Sequence, residues 1–267
     1  MAKRKRRRTI ESIRRLIRQG RGSGRLGDYK PWLYIQDVAS RGLACRTKGW
    51  KTGRVHHFLS RLELLYFYLL EWSLIVVDIR EQYPLLPVEE TVSIAASCGI
   101  RHPVHPVTKV PIVMTTDFVI TIHQPIGEVD EPHTVKYAGD LTSDRTLEKL
   151  EIERRYWHRR NKRLKIVTEQ NIPPILARNV QWVHPYRQFR DFTTLSAFTF
   201  SLAASNVMTV VRRQKAPLSH LTLRLDRKFQ FASGTSLAIT RYLIANRYLQ
   251  VDMLQRINPC EVLRLID

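Results

Sequence analysis

An aspartate and a lysine lie on two strand-like segments that follow each other along the chain. Asp117 belongs to M-T-T-D-F-V-I-T-I at 114–122, and Lys136 belongs to P-H-T-V-K-Y at 132–137. Metal-dependent nucleases often carry an aspartate on one strand and a lysine on the next, with an acidic or amide residue two positions before the lysine. That position holds Thr134 here. The segment is either an active site with one substituted residue or a strand with a lysine.

The chemistry that this pair could carry is metal-assisted phosphodiester hydrolysis. Such hydrolysis needs a divalent ion to polarise the phosphate and a cation or acid near the reacting oxygens. Mg²⁺ prefers oxygen ligands and keeps several waters, so one or two carboxylates suffice. The charge of Asp117 is costly near the start of an apolar strand unless a metal or a partner compensates it. Glu63, from a preceding helix, and the carbonyl of Val135 could complete the site beside Lys136.

Each of these residues also has a structural interpretation. Asp117 could form a salt bridge at a strand edge, Lys136 could be solvated, and Glu63 could cap its own helix. The spacing fits both interpretations, because an aspartate and a lysine on successive strands also occur by chance.

The charge of the chain indicates a polyanionic partner. The 267 residues carry a net charge of +20, with a hydrophobic fraction of 43% that is ordinary for a soluble globular protein. Twelve of the 44 lysines and arginines lie in residues 1–30, where Lys3–Arg8 is predicted to be mobile. Nucleic acid is favoured over a membrane, because no basic amphipathic helix with an aromatic face stands out.

Targeting and redox signals are also missing from the sequence. The most apolar window, Leu62–Ile79, is interrupted by three acidic residues, so no transmembrane helix is predicted. The basic N-terminus has no apolar stretch behind it and does not read as a secretory signal. Cys45, Cys98 and Cys260 show neither zinc spacing nor a disulfide framework, which favours a reducing, cytoplasmic setting.

Hydrophobic periodicity predicts an α/β arrangement from about Lys51 onward. The predicted helices of this part are 59–72 and 143–160, with a further helical segment beginning at 171–174, and the predicted strands are 74–79, 116–122, 134–137 and 164–168. Before it, 10–18 is a short basic helix, and R-G-S-G-R-L-G-D-Y at 21–29 reads as a flexible loop.

The C-terminal part is predicted to be mainly helical. Helices are expected at 194–212 and 236–246, 219–225 could be a helix or a strand, and 248–251 is strand-like. Helix, turn, helix and then a β segment resembles a winged-helix pattern, with Ser236–Asn246 as the recognition-like helix. The expected domains are a basic, partly flexible segment at 1–30, an α/β domain at 31–186 and this winged-helix-like domain at 187–267.

Longer motifs add a family resemblance. They are K-T-G-R-V-H-H-F-L-S-R-L-E at 51–63, D-I-R-E-Q-Y-P-L-L-P at 78–87, G-I-R-H-P-V at 99–104, M-T-T-D-F at 114–118 and R-T-L-E-K-L-E-I-E-R-R-Y-W at 145–157. In this order the motifs resemble the TnsA family, the endonuclease subunits of heteromeric transposases. The resemblance covers roughly residues 20–185 and is looser beyond them.

The resemblance implies a restriction-endonuclease-like catalytic domain followed by a winged-helix-like domain. It implies cleavage of the 5′, non-transferred strands at transposon ends, dependent on Mg²⁺ with Mn²⁺ expected to substitute. The implied partners are double-stranded DNA, the DDE transposase TnsB and the AAA+ regulator TnsC, in the bacterial cytoplasm and at the nucleoid.

Carried over position by position, the family's catalytic residues fall on Glu63, Asp117, Lys136 and Thr134. The implied metal ligands are Glu63, Asp117 and Val135. Thr134 departs from the family, which usually has glutamine or an acid there. Activity with looser metal binding is therefore expected, and a subunit crippled for catalysis is the alternative.

Several interpretations stay open at this point. The chain could be a non-catalytic DNA-binding or scaffolding subunit of the same complex, or a nuclease that acts alone. Glu153 could neighbour the metal site, whereas Glu148 and Glu151 are expected to pair along their own helix.

Basic residues and histidines outside the catalytic set are also ambiguous. His56 and His57 are expected to contact phosphate or cap the next helix rather than bind zinc. Arginines of the 143–160 helix could line the DNA path or simply form an exposed charged face; they are Arg145, Arg154, Arg155 and Arg159. In the last domain, Arg241 and Arg247 are few for base readout, so docking to the AAA+ partner competes with DNA binding.

Overall fold

The structure, a computed structural model, describes residues 9–37, 45–213 and 215–266. The chain forms two compact units, Met1–Ile172 and Pro173–Asp267. The predicted mobile run Lys3–Arg8 lies outside the described residues.

The first unit is built on a mixed sheet. Its elements are α1 (Ile10–Arg18), β1 (Cys45–Lys48), β2 (Val55–Phe58), α2 (Arg61–Trp72), β3 (Val76–Pro84), α3 (Val88–Ser97), β4 (Thr115–Gln124), β5 (Gly127–Val135), α4 (Asp144–His158) and β6 (Lys165–Val167). The main sheet has the strand order β3-β4-β5-β6, in which β6 runs parallel to β5 and the other neighbours are antiparallel. The predicted α/β class is confirmed.

Apolar side chains cover both faces of this sheet. Val119 of β4 belongs to a buried cluster with Ile94 of α3 and Ile152 of α4. Its neighbour Phe118 packs its ring against Phe58 and against α2. Because successive strand residues point to opposite faces, β4 is enclosed from both sides, which accounts for its long apolar run.

Several predicted boundaries differ from the observed ones. The strand predicted at 74–79 begins at Val76 and continues to Pro84, and the strand predicted at 134–137 is the last part of β5. Because β5 ends at Val135, Lys136 directly follows the strand. The structure also contains the β1–β2 pair and α3, which the periodicity did not predict.

The segment expected to be a flexible loop is packed against the sheet. Tyr29 and Trp32 are each only 2% exposed, and the Tyr29 hydroxyl donates to the carbonyl of Glu81 at 3.1 Å. Gly22 has a φ of +81°, and a Cβ there would lie 2.2 Å from Pro84. The glycines in this segment therefore permit close packing, and the prediction of a flexible loop was wrong.

A fully buried carboxylate ties the β1–β2 pair to the main sheet. Both carboxylate oxygens of Glu81 in β3 accept hydrogen bonds from Arg54, and Oε2 also contacts His56 Nδ1 at 2.9 Å. Burial raises the pKa of Glu81, but His56 and Arg54 outweigh burial and hold the pKa well below its ordinary value. Glu81 therefore stays ionised inside the protein.

The second unit is helical in its described part. It contains α5 (Pro174–Val183), α6 (Ala197–Arg213), α7 (Leu218–Phe229) and α8 (Thr235–Ala245). The ambiguous segment 219–225 is therefore helical, and the strand-like segment 248–251 makes only a single bridge, Val251 to Leu265. No helix in the described part of the chain has both the length and the apolarity to cross a bilayer.

The unit boundary lies before the one expected at 186/187. The Asn179 side-chain amide in α5 donates to the carbonyls of Met253 and Gln255 at 3.0 and 2.7 Å. These bonds attach α5 to the C-terminal unit, and local sequence periodicity gives no sign of such long-range contacts.

Replacing Glu81 with glutamine should destabilise the chain strongly. The change leaves Arg54 buried without its counter-charge, for which about 3–5 kcal/mol is typical. Chemical denaturation measures the loss. Glu151→Gln is the matched control, because it breaks two more exposed arginine pairs and should cost only about 0–1 kcal/mol. Equal losses in the two variants would contradict a structural role for the buried pair.

Candidate active site

Asp117 is the centre of the candidate site. Its Oδ2 atom accepts three hydrogen bonds, from Thr134 Oγ1 at 3.0 Å, from the Val135 amide at 2.7 Å and from Lys136 Nζ at 2.6 Å. The antiparallel register of β4 and β5, which pairs Phe118 with His133, brings these residues together. The structure therefore gathers the aspartate and lysine that the sequence singled out.

Hydrogen bonds hold both the backbone and the side chain of Lys136. Its backbone amide donates to the Val167 carbonyl of β6 at 3.0 Å, and its Nζ also donates to the Val135 carbonyl at 3.0 Å. Burial lowers the pKa of Lys136, but the charge of Asp117 and the hydrogen bond to its carboxylate outweigh burial and raise the pKa. The ammonium group is therefore charged at neutral pH, and its contacts with Asp117 and the Val135 carbonyl argue against the alternative of a merely solvated lysine.

Glu63 both caps its helix and faces the same cluster. Ser60, the N-cap of α2, accepts from the Glu63 amide at 3.1 Å and donates its hydroxyl to Glu63 Oε1 at 3.0 Å. Burial, and then the charge of Asp117, raise the pKa of Glu63 to about 7. The capping interpretation and the site interpretation therefore apply to the same carboxyl group.

Gln82 is an amide beside this group that the sequence analysis did not single out. Its Nε2 atom lies 3.4 Å from Glu63 Oε2, and its Oε1 accepts from the Thr115 hydroxyl at 3.2 Å. The residue has a φ of +50° in β3, which L residues rarely adopt. The Gln82 amide thus lies near the site, although position 134 carries no amide. The sequence gives no sign of this, because it is the pairing of β3 with β4 that brings Gln82 to the site.

Glu153 of α4 completes the cluster from another side. Its carboxyl group is buried, and its Oε1 atom has no hydrogen-bond partner among the described residues. Burial, and then Asp117, raise the pKa of Glu153 to about 8, so the group holds a proton at neutral pH. The weak sequence hint that Glu153 neighbours the site therefore agrees with its position.

A hydrogen-bonded chain joins α2 to β5 next to the cluster. The Tyr66 hydroxyl, one turn after Glu63, contacts His133 Nδ1 at 2.5 Å, and His133 Nε2 contacts Glu131 at 3.3 Å. Burial lowers the pKa of His133, which keeps the ring neutral and able to bridge a hydroxyl and a carboxylate. The chain fixes the helix carrying Glu63 against the strand that leads to Lys136.

The histidines before α2 have structural roles. His56 is fully buried and contacts Thr52 through Nε2 at 2.7 Å and Glu81 through Nδ1. His57 packs on the Tyr34 ring with 4.7 Å between centroids. The expectation that His56 contacts phosphate or caps α2 was wrong, because both of its ring nitrogens already have partners.

Most of the charged residues on α4 pair with each other. Glu151 binds Arg154 and Arg155, and Arg145 binds Glu148. Arg159 lies 3.7 Å from Glu90 of α3. The predicted pairing of Glu148 and Glu151 along the helix is confirmed, and it leaves Arg154 and Arg155 on an exposed charged face.

In the second unit, the helix expected to read DNA is part of the core. Ile239, Leu243 and Ile244 of α8 are at most 3% exposed. The Arg241 guanidinium lies over the Trp182 ring at 4.3 Å and donates to the Tyr186 hydroxyl at 2.7 Å. Packing within the unit therefore accounts for Arg241.

The site brings together an aspartate, a lysine and two protonatable glutamates at the end of a mixed sheet. This arrangement is typical of metal-dependent nucleases. Residues 74–169 match the TnsA-like endonuclease N-terminal family, and residues 171–253 match the TnsA endonuclease C-terminal family. The chain is also 36% identical over 263 residues to the Transposon Tn7 transposition protein TnsA of Escherichia coli, covering 93% of this chain and 89% of that protein. The chain belongs to the TnsA endonuclease family, which confirms the resemblance inferred from its motifs.

Replacing Glu153 with glutamine should stabilise the chain increasingly as pH rises. The folded pKa of about 8 exceeds the ordinary value of 4.5, so the folded state retains the proton and the wild-type chain loses stability between those values. Denaturation midpoints in chelator should therefore agree best at about pH 4 and favour the variant at about pH 8.5. A variant that is equally destabilised at both pH values would contradict the protonated, buried glutamate.

Proposed function

We propose that this chain cuts the 5′, non-transferred strands at transposon ends by Mg²⁺-dependent hydrolysis, with Mn²⁺ able to substitute. The observation that carries the proposal is the contact of Lys136 Nζ with Asp117 Oδ2 beside the carboxyl group of Glu63. An acid and a charged ammonium group at one point suit a phosphodiester substrate, whose negative charge increases during hydrolysis.

The groups present fit a hard divalent ion. Asp117 Oδ2 and the Val135 carbonyl oxygen already converge on one positive group, the ammonium of Lys136, at 2.6 and 3.0 Å. Within the described residues no cluster of three or more His, Cys, Asp and Glu side chains is placed to hold an ion, and Mg²⁺ needs only one or two carboxylates. Asp117, Glu63 and Val135 would hold the ion, which when bound polarises the phosphate and acidifies water.

The chain's own residues supply orientation and charge. Lys136, kept protonated by Asp117, is placed to donate to a phosphate oxygen. Without an ion Glu63 has a pKa of about 7, and a divalent ion bound beside it would favour the ionised carboxylate that serves as a ligand. Thr134 supports Asp117 by donating its hydroxyl hydrogen, which is a positioning role rather than direct contact with substrate.

The proposal extends to the fold and to the partners. A mixed sheet that carries the acid and the lysine on neighbouring strands supports a restriction-endonuclease-like first domain. We keep a winged-helix-like fold for the C-terminal domain as a proposal, with docking to the AAA+ partner as its function. The E. coli relative is named as a transposition protein, which supports TnsB and TnsC as partners on double-stranded DNA in the bacterial cytoplasm.

Replacing Asp117 with alanine should abolish 5′-strand cleavage in the reconstituted transposase, and Lys136→Ala should lower its rate by about 100-fold or more. Cleavage of the 3′ strand, assigned to the partner transposase, is the internal control. If 5′ cleavage survives in the Asp117→Ala enzyme, the catalytic proposal is wrong and the chain is a non-catalytic subunit.

Variants at Thr134 distinguish an active site with looser metal binding from a subunit that has lost catalysis. Thr134→Val removes one hydrogen bond to a charged carboxylate and should slow 5′ nicking by about tenfold, whereas Thr134→Ser should retain the rate. Thr134→Gln introduces the amide usual at this position and should lower the Mg²⁺ concentration needed for half-maximal nicking. Unchanged rates and unchanged Mg²⁺ dependence in the valine and glutamine variants would make the position peripheral.

A further inference from the structure

A groove of about 580 Å³ lies beside the first two turns of α4. One wall is the hairpin that follows α3, in which the Ile112 amide donates to the Pro103 carbonyl at 2.9 Å. His102 fixes the base of this hairpin by contacting Thr91 at 3.0 Å. The groove is lined by Arg101, His102, Pro103, Val104, Ile112, Arg145, Glu148 and Lys149.

The groove carries cations that the fold does not neutralise. The side chains of Arg101 and Lys149 are exposed, and neither makes a hydrogen bond or an ion pair with the rest of the described chain. Arg145 is neutralised by Glu148 and also donates to the Arg101 carbonyl at 2.7 Å. The groove therefore offers two free positive charges in fixed surroundings.

The position of the groove relates it to the candidate active site. Lys149 precedes Glu153 by one helical turn of α4, and Arg145 precedes Lys149 by another. Residues four apart lie on the same helix face, about 6 Å along the axis from each other. Because Glu153 interacts electrostatically with Asp117 and Lys136, this helix face leads from the catalytic cluster into the groove.

The arginines near the end of α4, and Arg160 just after it, are held by acidic residues instead. Arg154 and Arg155 are bound to Glu151, and Arg160 forms two hydrogen bonds with Glu90. Each of these arginines has an acidic partner, whereas Arg101 and Lys149 have none among the described residues. The cations without an acidic partner therefore lie at the groove, and the arginines at the other end of the helix are engaged in ion pairs.

We propose that this groove binds backbone phosphates of the substrate DNA on one side of the scissile phosphate, through Arg101 and Lys149. The inference rests on the proposed function, because it places the groove next to the bond that is cut. Two unpaired cations suit a polyanion, and the apolar walls formed by Pro103, Val104 and Ile112 suit the sugars between phosphates. Such contacts fix the register of the strand in the site without reading its sequence.

The test is the salt dependence of DNA binding by the full-length chain. All variants carry Asp117→Ala, so that the duplex containing the transposon end stays intact during anisotropy measurements. The Arg101→Ala/Lys149→Ala variant should bind more weakly, and the slope of log affinity against log salt should fall by about 1.8. Phosphate ethylation should interfere with binding on one side of the cleavage position, and the double variant should lose that interference.

The matched control is Arg46→Ala/Arg163→Ala. These residues are exposed and lie outside the groove, and their side chains make no hydrogen bond or ion pair with other described residues. Removing two charges there should leave the ethylation pattern unchanged and reduce the slope by less than the groove variant does. An equal change in the two double variants would overturn the assignment.

Other outcomes separate this inference from the proposed function. If the groove variant keeps the wild-type slope and ethylation pattern, the groove does not bind DNA, whether or not Asp117→Ala abolishes cleavage. If the groove variant keeps the wild-type salt slope and ethylation pattern but loses affinity for a transposase subunit, the groove is a protein-docking surface and the inference is wrong. Survival of 5′ cleavage in the Asp117→Ala enzyme would instead show that the proposed function itself is wrong.

Discussion

One carboxylate oxygen organises the candidate active site of this molecule. Asp117 Oδ2 accepts hydrogen bonds from three consecutive residues, and those residues span the end of β5 and the turn after it. The arrangement depends on the register of β4 and β5, because a slip by one residue would move every side chain to the opposite face. The Val167 carbonyl of β6, the parallel neighbour of β5, accepts a hydrogen bond from the Lys136 amide and so holds the end of β5 in place.

The same oxygen determines the electrostatics around it. Its charge, added to burial, raises the pKa values of Glu63 and Glu153 to about 7 and about 8. It also keeps Lys136 protonated against the effect of burial. One buried negative charge with one positive partner and two protonatable neighbours is an arrangement that can receive a phosphate and a divalent ion, and this links the fold to its proposed chemistry.

Local sequence could predict the centre of the site but not its surroundings. Asp117 and Lys136 were recognisable because charged residues in or beside apolar strands need compensation. The donor role of Thr134 depends on strand register, which spacing does not reveal. In the fold, the long apolar strand β4 and the amphipathic helix α4 were predictable from their hydrophobic patterns. The strand β1 was not, because its residues do not alternate clearly between apolar and polar. The Arg54–Glu81 pair joins residues 27 positions apart, so no local pattern could indicate it.

We propose above all that Asp117, Glu63 and the Val135 carbonyl form one divalent-metal site beside Lys136. Anomalous diffraction at the manganese edge, from crystals of the full chain grown with Mn²⁺, tests it most directly. We expect an anomalous peak in contact with the Asp117 carboxylate and the Val135 carbonyl, absent from crystals of the Asp117→Ala chain. A peak that persists in that variant, or manganese bound only elsewhere on the protein, would show that these residues do not form the metal site.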